Sequence, residues 1–93
     1  MDIEYGSFVW DSDKEKINVL KHAVSFRAAI EVFRDSNKKI IEDIDHSENE
    51  ERHYCIGLVD GRVMTVRYVL RNGSIRIFGA GYWKKGRMIY EQT

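Results

Sequence analysis

Two dipeptides place the tightest condition on what this chain can fold into. Asp60-Gly61 and Asn72-Gly73 stand one strand length apart, each between segments that alternate apolar and polar residues. Asp-Gly and Asn-Gly supply the positive φ of a two-residue hairpin turn, whose twist matches the strands it joins. They predict three consecutive antiparallel strands over residues 52–59, 62–70 and 74–80. In the middle strand Val63, Thr65, Arg67 and Val69 share one face, and Met64, Val66, Tyr68 and Leu70 the other. In the last strand Ile75 and Ile77 oppose Arg76 and Phe78.

Upstream the period changes. A first strand is expected over residues 2–10, with Ile3, Tyr5, Phe8 and Trp10 as its apolar positions. Asp11 or Ser12 caps a helix that carries Ile17, Leu20 and Lys21 and breaks at His22-Ala23-Val24. Ser25 caps a second helix with Ala28, Ala29, Val32 and Phe33 as its stripe, ended by the polar turn Asp35-Ser36-Asn37. A short strand over residues 39–45 and a charged connector over 46–50 lead into the hairpins. The tail, residues 82–91, reads as a short helix in which Gly86 costs about 1 kcal/mol relative to alanine. The expected class is α+β: two N-terminal helices packed on a small antiparallel meander of about four strands, with a short C-terminal helix.

The 93 residues allow one domain, spanning 1–93. With 43% hydrophobic and 12% aromatic residues the chain is too apolar to be disordered. No apolar run approaches the ~20 residues of a membrane helix, and the N-terminus lacks the pattern of a signal peptide. The single cysteine, Cys55, cannot close an internal disulfide, and His22, His46 and His53 follow no metal-ligand spacing. The expectation is a reduced cytoplasmic protein with no metal, no cofactor and no membrane partner.

Net charge is zero, yet residues 1–50 carry 7 Lys+Arg against 12 Asp+Glu, and residues 51–93 carry 8 against 3. A basic half suits a phosphate-bearing or acidic partner; neutralisation of one half by the other accounts for the division equally well. The sequence contains no P-loop, dinucleotide-binding glycine pattern or HExxH. Metal-independent RNA cleavage needs none of these. The RNA's own 2′-OH is the nucleophile, and the protein supplies a base, an acid and cations for the phosphorane.

Residue types suited to that chemistry are present. Lys21 and His22 end a helix, Glu50, Glu51 and Arg52 open a strand, and Arg67, Arg71 and Arg76 lie on the hairpins. Lys84, Lys85 and Arg87 occupy the tail beside Tyr82-Trp83, a pair that either stacks a base or closes the core. Simpler roles exist: the helix dipole favours Lys21 and His22 where they stand, and Glu50 and Glu51 suit a solvated corner. Arg76, on an otherwise apolar strand, requires a carboxylate, a carbonyl or a phosphate. The sequence points to Glu51 or His22 as base and to Arg52 and Arg76 on the phosphate, where the mouth of the sheet meets the first helix.

An ordered set of short motifs resembles the BrnT toxins of bacterial type II toxin–antitoxin systems. Phe8-Val9-Trp10-Asp11 is similar to the family's opening F-x-W-D, followed by Lys14, Asn18 and Lys21-His22. Val24-Ser25-Phe26, Ala29 and Val32-Phe33-x-Asp35 match its second helix, and His46-Ser47, Glu51-Arg52, Gly57, Gly61-Arg62 and Ile75-Arg76-Ile77 its strands. Arg87 and Tyr90-Glu91 match its tail. The resemblance implies a fold similar to RelE-type toxins, ribonuclease activity and neutralisation by a small BrnA-like antitoxin. That antitoxin supplies the DNA-binding part of an autorepressing complex, so DNA is an indirect partner and RNA the substrate. Carried over, Lys21, His22, Glu51, Arg52 and Arg76 are its active-site candidates; Arg67, Arg71, Tyr82, Trp83, Lys84, Lys85 and Arg87 stand as RNA-binding candidates on their residue types. One stretch departs: the family's I-R-I-I-S-A-R reads Ile75-Arg76-Ile77-Phe78-Gly79-Ala80-Gly81 here. Loss of an arginine at Gly81 implies an alternative, a catalytically degenerate homologue that binds an antitoxin and acts in repression.

Overall fold

The structure is a computed structural model that describes residues 1–92. The N-terminal segment forms two strands where one is expected, β1 (Asp2–Tyr5) and β2 (Phe8–Asp11), folded antiparallel about Gly6-Ser7. Gly6 takes φ 61°, and Gly-Ser is itself a hairpin dipeptide. Asp11 then caps α1 (Ser12–His22), accepting the Lys14 N–H at 3.1 Å. Ala23 ends that helix in the left-handed region at φ 57°. Ser25 caps α2 (Phe26–Ala29), which runs straight into a 3-10 turn, Ile30–Arg34.

After β3 (Lys39–Glu42), a second 3-10 turn, Ile44–His46, occupies the end of the expected strand. β4 (Arg52–Val59), β5 (Arg62–Arg71) and β6 (Ser74–Gly81) follow as antiparallel neighbours, with both hairpin dipeptides at positive φ. α3 (Lys84–Glu91) closes the chain. Among the described residues no helix is long and apolar enough to cross a membrane.

The sheet corrects the expectation of a small antiparallel one. It has six strands in the order β1-β2-β6-β5-β4-β3, and it is mixed, because β2 runs parallel to β6 with Phe8 opposite Ile75 and Val9 opposite Arg76. Parallel neighbours need a long crossover, so no turn motif marks them locally.

The two faces of the sheet are differently covered. On one, Cys55, Met64, Val66, Tyr68, Ile77 and Ala80 meet Phe26, Ala29 and Val32 to form the core. Two polar side chains fix how α1 joins it. Glu15 accepts the Trp10 indole N–H at 3.1 Å and the Phe26 backbone N–H at 2.9 Å. Asn18, buried, donates to the carbonyls of Val24 and Ala80 at 2.9 Å each and accepts the Ala80 N–H at 3.1 Å.

The other face carries α3 at one end. Gly86, a weak point for the helix by propensity, makes the packing possible: a Cβ there would stand 1.9 Å from the Thr65 hydroxyl. The Tyr90 hydroxyl donates to Asp35 at 2.5 Å, and the Lys39 ammonium donates to the carbonyls of Ile89, at 2.8 Å, and Gln92. Beyond α3 this face lies open between β4, β5 and β6.

Candidate nucleic-acid interface

The open face is built by strand alternation. Register places Tyr54 opposite Arg67, Arg52 opposite Val69 and Arg67 opposite Gly79, so these side chains share one surface. A bulge follows, since Tyr68 pairs with Ile77 and leaves Phe78 as the extra residue. Bulges re-aim side chains, and here the Phe78 ring sits under two cations, with the Arg52 guanidinium 5.1 Å and that of Arg67 5.2 Å from its centre. Arg67 also lies 5.7 Å from the centre of the Trp83 ring.

Arg67 is the hub. Its Nε is buried without a hydrogen-bond partner among the described residues. Gly79 is what lets the guanidinium lie so low, because a Cβ there would be 3.1 Å from Nε. Two hollows meet at Arg67, divided by Trp83. The first, about 180 Å³, is lined by Lys14, Lys21, His22, Phe78 and Trp83 as well as Arg67. The second, about 320 Å³, opens between β4, β5 and α3. The His22 ring meets Trp83 edge-on, with centres 5.0 Å apart, and Asn18 fixes the helix that presents it.

The sequence candidates separate into groups. Lys21, His22, Arg67 and Trp83 converge on the first hollow, and Lys85 lines the second. Arg52 reaches the first only through the Phe78 ring it covers and itself lines a separate hollow with Glu50. Arg76 lies on the same sheet face but is held by the Asp2 carboxylate at 2.6 and 3.2 Å, which raises its pKa and lowers that of Asp2. Arg71 is clamped in the same manner by Glu50, with both bonds 2.6 Å, and the Glu50 carboxyl is pulled below its ordinary range. Tyr82 is covered by the Arg62 guanidinium, 3.7 Å from its ring centre, and together with Arg87 borders another hollow. Lys84 is exposed in the first turn of α3.

Glu51 does not join His22. It stands 3.9 Å from the Nε2 of His53, whose ring stacks on the core residue Tyr68. Glu42, Glu51 and His53 bring ligand-type atoms within 4.8 Å of one another, a grouping that could hold a metal ion. Spacing along the chain does not show it, because Glu42 and His53 meet as cross-strand partners.

Tyr54 and Phe78 are functional-face residues that motif reasoning passed over. Their signal was alternation: Tyr54 falls in register with Arg67, and Phe78 follows Arg76 at the two-residue period of its strand. Burial, and then the hydrogen bond Tyr54 donates to Asp43 at 2.8 Å, raise the phenol's pKa. The same bond and one with His46 outweigh burial at Asp43 and hold its carboxyl below the ordinary value.

Arginines interleaved with aromatic rings on an open sheet face define a small α+β protein suited to an anionic ligand that carries planar groups. Comparison with protein families makes the class specific: residues 10–86 match the ribonuclease toxin BrnT of type II toxin–antitoxin systems. The chain belongs to that family. Comparison with curated proteins found no match.

Proposed function

We propose that the chain is a metal-independent endoribonuclease with an overall arrangement similar to RelE-type toxins, neutralised by a BrnA-like antitoxin. The observation that carries it is the convergence of His22, Lys21 and Arg67 on one hollow beside the half-buried rings of Phe78 and Trp83. His22 takes the proton from the RNA 2′-OH as that oxygen attacks phosphorus. The P–O5′ bond breaks, and Lys21 returns a proton to the leaving 5′-oxygen. Arg67 and Arg52 stabilise the charge that grows on the phosphorane oxygens; such preorganised donors are most effective where water is partly excluded. The products are a 2′,3′-cyclic phosphate and a 5′-hydroxyl. Arg76 serves the fold by binding Asp2, and Arg67 takes the phosphate role that the residue pattern assigned to Arg76.

The test is cleavage of single-stranded RNA in EDTA with analysis of the product ends, using the parent, Arg67→Ala and Arg76→Ala. The expected result is cleavage by the parent leaving 2′,3′-cyclic ends, a loss of about 10²–10³-fold in Arg67→Ala, and retention of most activity in Arg76→Ala. If Arg76→Ala is inactive and Arg67→Ala is not, the assignment is reversed. A folded parent that leaves RNA intact supports the degenerate homologue acting through an antitoxin.

A further inference from the structure

The hollow on the α3 side of Trp83 has a different character from the one holding His22. Tyr54, Ile56, Trp83 and Ile89 give it a mainly apolar wall, which Thr65, Arg67, Lys85 and Gly86 complete. Away from Arg67 and Lys85 a phosphate does not belong among these aliphatic and aromatic walls, because its desolvation would go uncompensated there. A planar heterocycle does, and at about 320 Å³ the hollow is at the lower end of small-molecule sites. It is continuous with the anion hollow through Arg67, which lines both. The ligand therefore carries an anionic group and, a short linker away, a flat apolar one.

Resting on the ribonuclease reading, we propose that the hollow between β4, β5 and α3 is a nucleobase subsite. It takes the base of an unpaired nucleotide whose phosphate lies on Arg67. In a duplex the bases are stacked inside the helix, so occupation of this hollow selects single-stranded RNA. Trp83 is the stacking surface and the dividing wall. Its place is fixed by Gly81, where a Cβ would stand 2.9 Å from the indole Cζ2. Ile89 closes the opposite side from α3, itself held to the body by the Tyr90–Asp35 and Lys39 hydrogen bonds.

The experiment titrates the full chain with the four nucleoside 3′-monophosphates and with ribose 5-phosphate, following backbone amides by NMR. At least one nucleotide is expected to bind about tenfold tighter than ribose 5-phosphate, the increment of one stacked base. Amide shifts are expected at Gly86 and Ile89, with NOEs from base protons to the Ile89 methyl groups. Ile89→Trp, which fills the hollow from the helix side, is expected to abolish the tenfold advantage and leave ribose 5-phosphate affinity unchanged. Equal affinity for nucleotides and ribose 5-phosphate overturns the subsite. So does tight binding by the parent without NOEs to Ile89, a readout that stands even where Ile89→Trp fails to fold. Base-dependent binding by a chain that does not cleave RNA keeps the subsite and rejects the ribonuclease reading. Cleavage with no base-dependent affinity does the reverse.

Discussion

Gly81 illustrates how one residue changes meaning when its neighbours are known. The family pattern makes it a missing arginine; the structure makes it the floor beneath Trp83, with a Cβ position 2.9 Å from the indole. Gly79 plays the same part for Arg67. We predict that Gly81→Arg, which restores the family's residue, expels the indole and costs about 1–3 kcal/mol of stability through overpacking. Thermal melting measures the loss, and RNA cleavage is expected to fall with it; a rise in cleavage would show that the arginine was the missing part. Asn18 makes the complementary case, a polar residue the fold requires. Asn18→Leu leaves two carbonyls and one N–H without the partners they now have, at a cost of about 3 kcal/mol in chemical denaturation. Its helix carries His22, so the variant is also expected to lose activity when assayed well below its melting temperature.

Elements were legible in the sequence where their signals are local. The two hairpin dipeptides located β4, β5 and β6, and Asp11 and Ser25 located the starts of α1 and α2. The β1–β2 hairpin carried local signals as well, Gly6-Ser7 and the three-residue step from Tyr5 to Phe8 that breaks the alternation, both passed over by a single strand across residues 2–10. The parallel β2–β6 pairing carried none, since it depends on where the whole α1–α2 crossover lands. The seat of α3 was equally silent, because Gly86 disfavours a helix by propensity and favours it by contact with Thr65. Asp35 anchors that seat, and it gives a pH dependence. The hydrogen bond from Tyr90, then those from the backbone N–H groups of Leu58 and Asn37, lower its pKa below the ordinary 3.8. A carboxyl depressed by folding adds stability that is complete above its unfolded pKa and lost as pH falls through the folded value. Melting temperature is therefore expected to fall on acidification below about pH 4, with a shallower fall in Asp35→Asn. Parallel acid profiles for the two proteins would remove Asp35 from the anchor.

The whole molecule resolves the charge division in its sequence. Acidic groups of residues 1–50 pair with two arginines of the basic half, Asp2 with Arg76 and Glu50 with Arg71. Mutual neutralisation thus accounts for part of the division. Of the six basic residues it leaves in that half, Arg52 and Arg67 lie over the Phe78 ring, with Lys21 of the first half lining the adjoining hollow. None of these three is in an ion pair with a carboxylate among the described residues. The residues of the candidate site were nearly all visible as types in the sequence, but which arginines were already occupied depended on contacts between distant segments. RNA affinity should reflect that sorting. Each phosphate neutralised on a single strand adds about −0.7 to the slope of log K against log salt, so three contacts predict a slope near −2. Between 50 and 200 mM salt that is a loss of about twentyfold. Arg67→Ala is expected to make the slope shallower by about 0.7, whereas Arg71→Ala and Arg76→Ala leave it nearly unchanged because their guanidinium groups already hold carboxylates. Filter binding or fluorescence anisotropy over a salt series, with an RNA protected at its 2′ positions against cleavage, measures the slopes. Equal changes for all three variants would mean that RNA displaces Asp2 and Glu50, and the phosphate path would then extend along β5 and β6 to the hairpin at Asn72-Gly73.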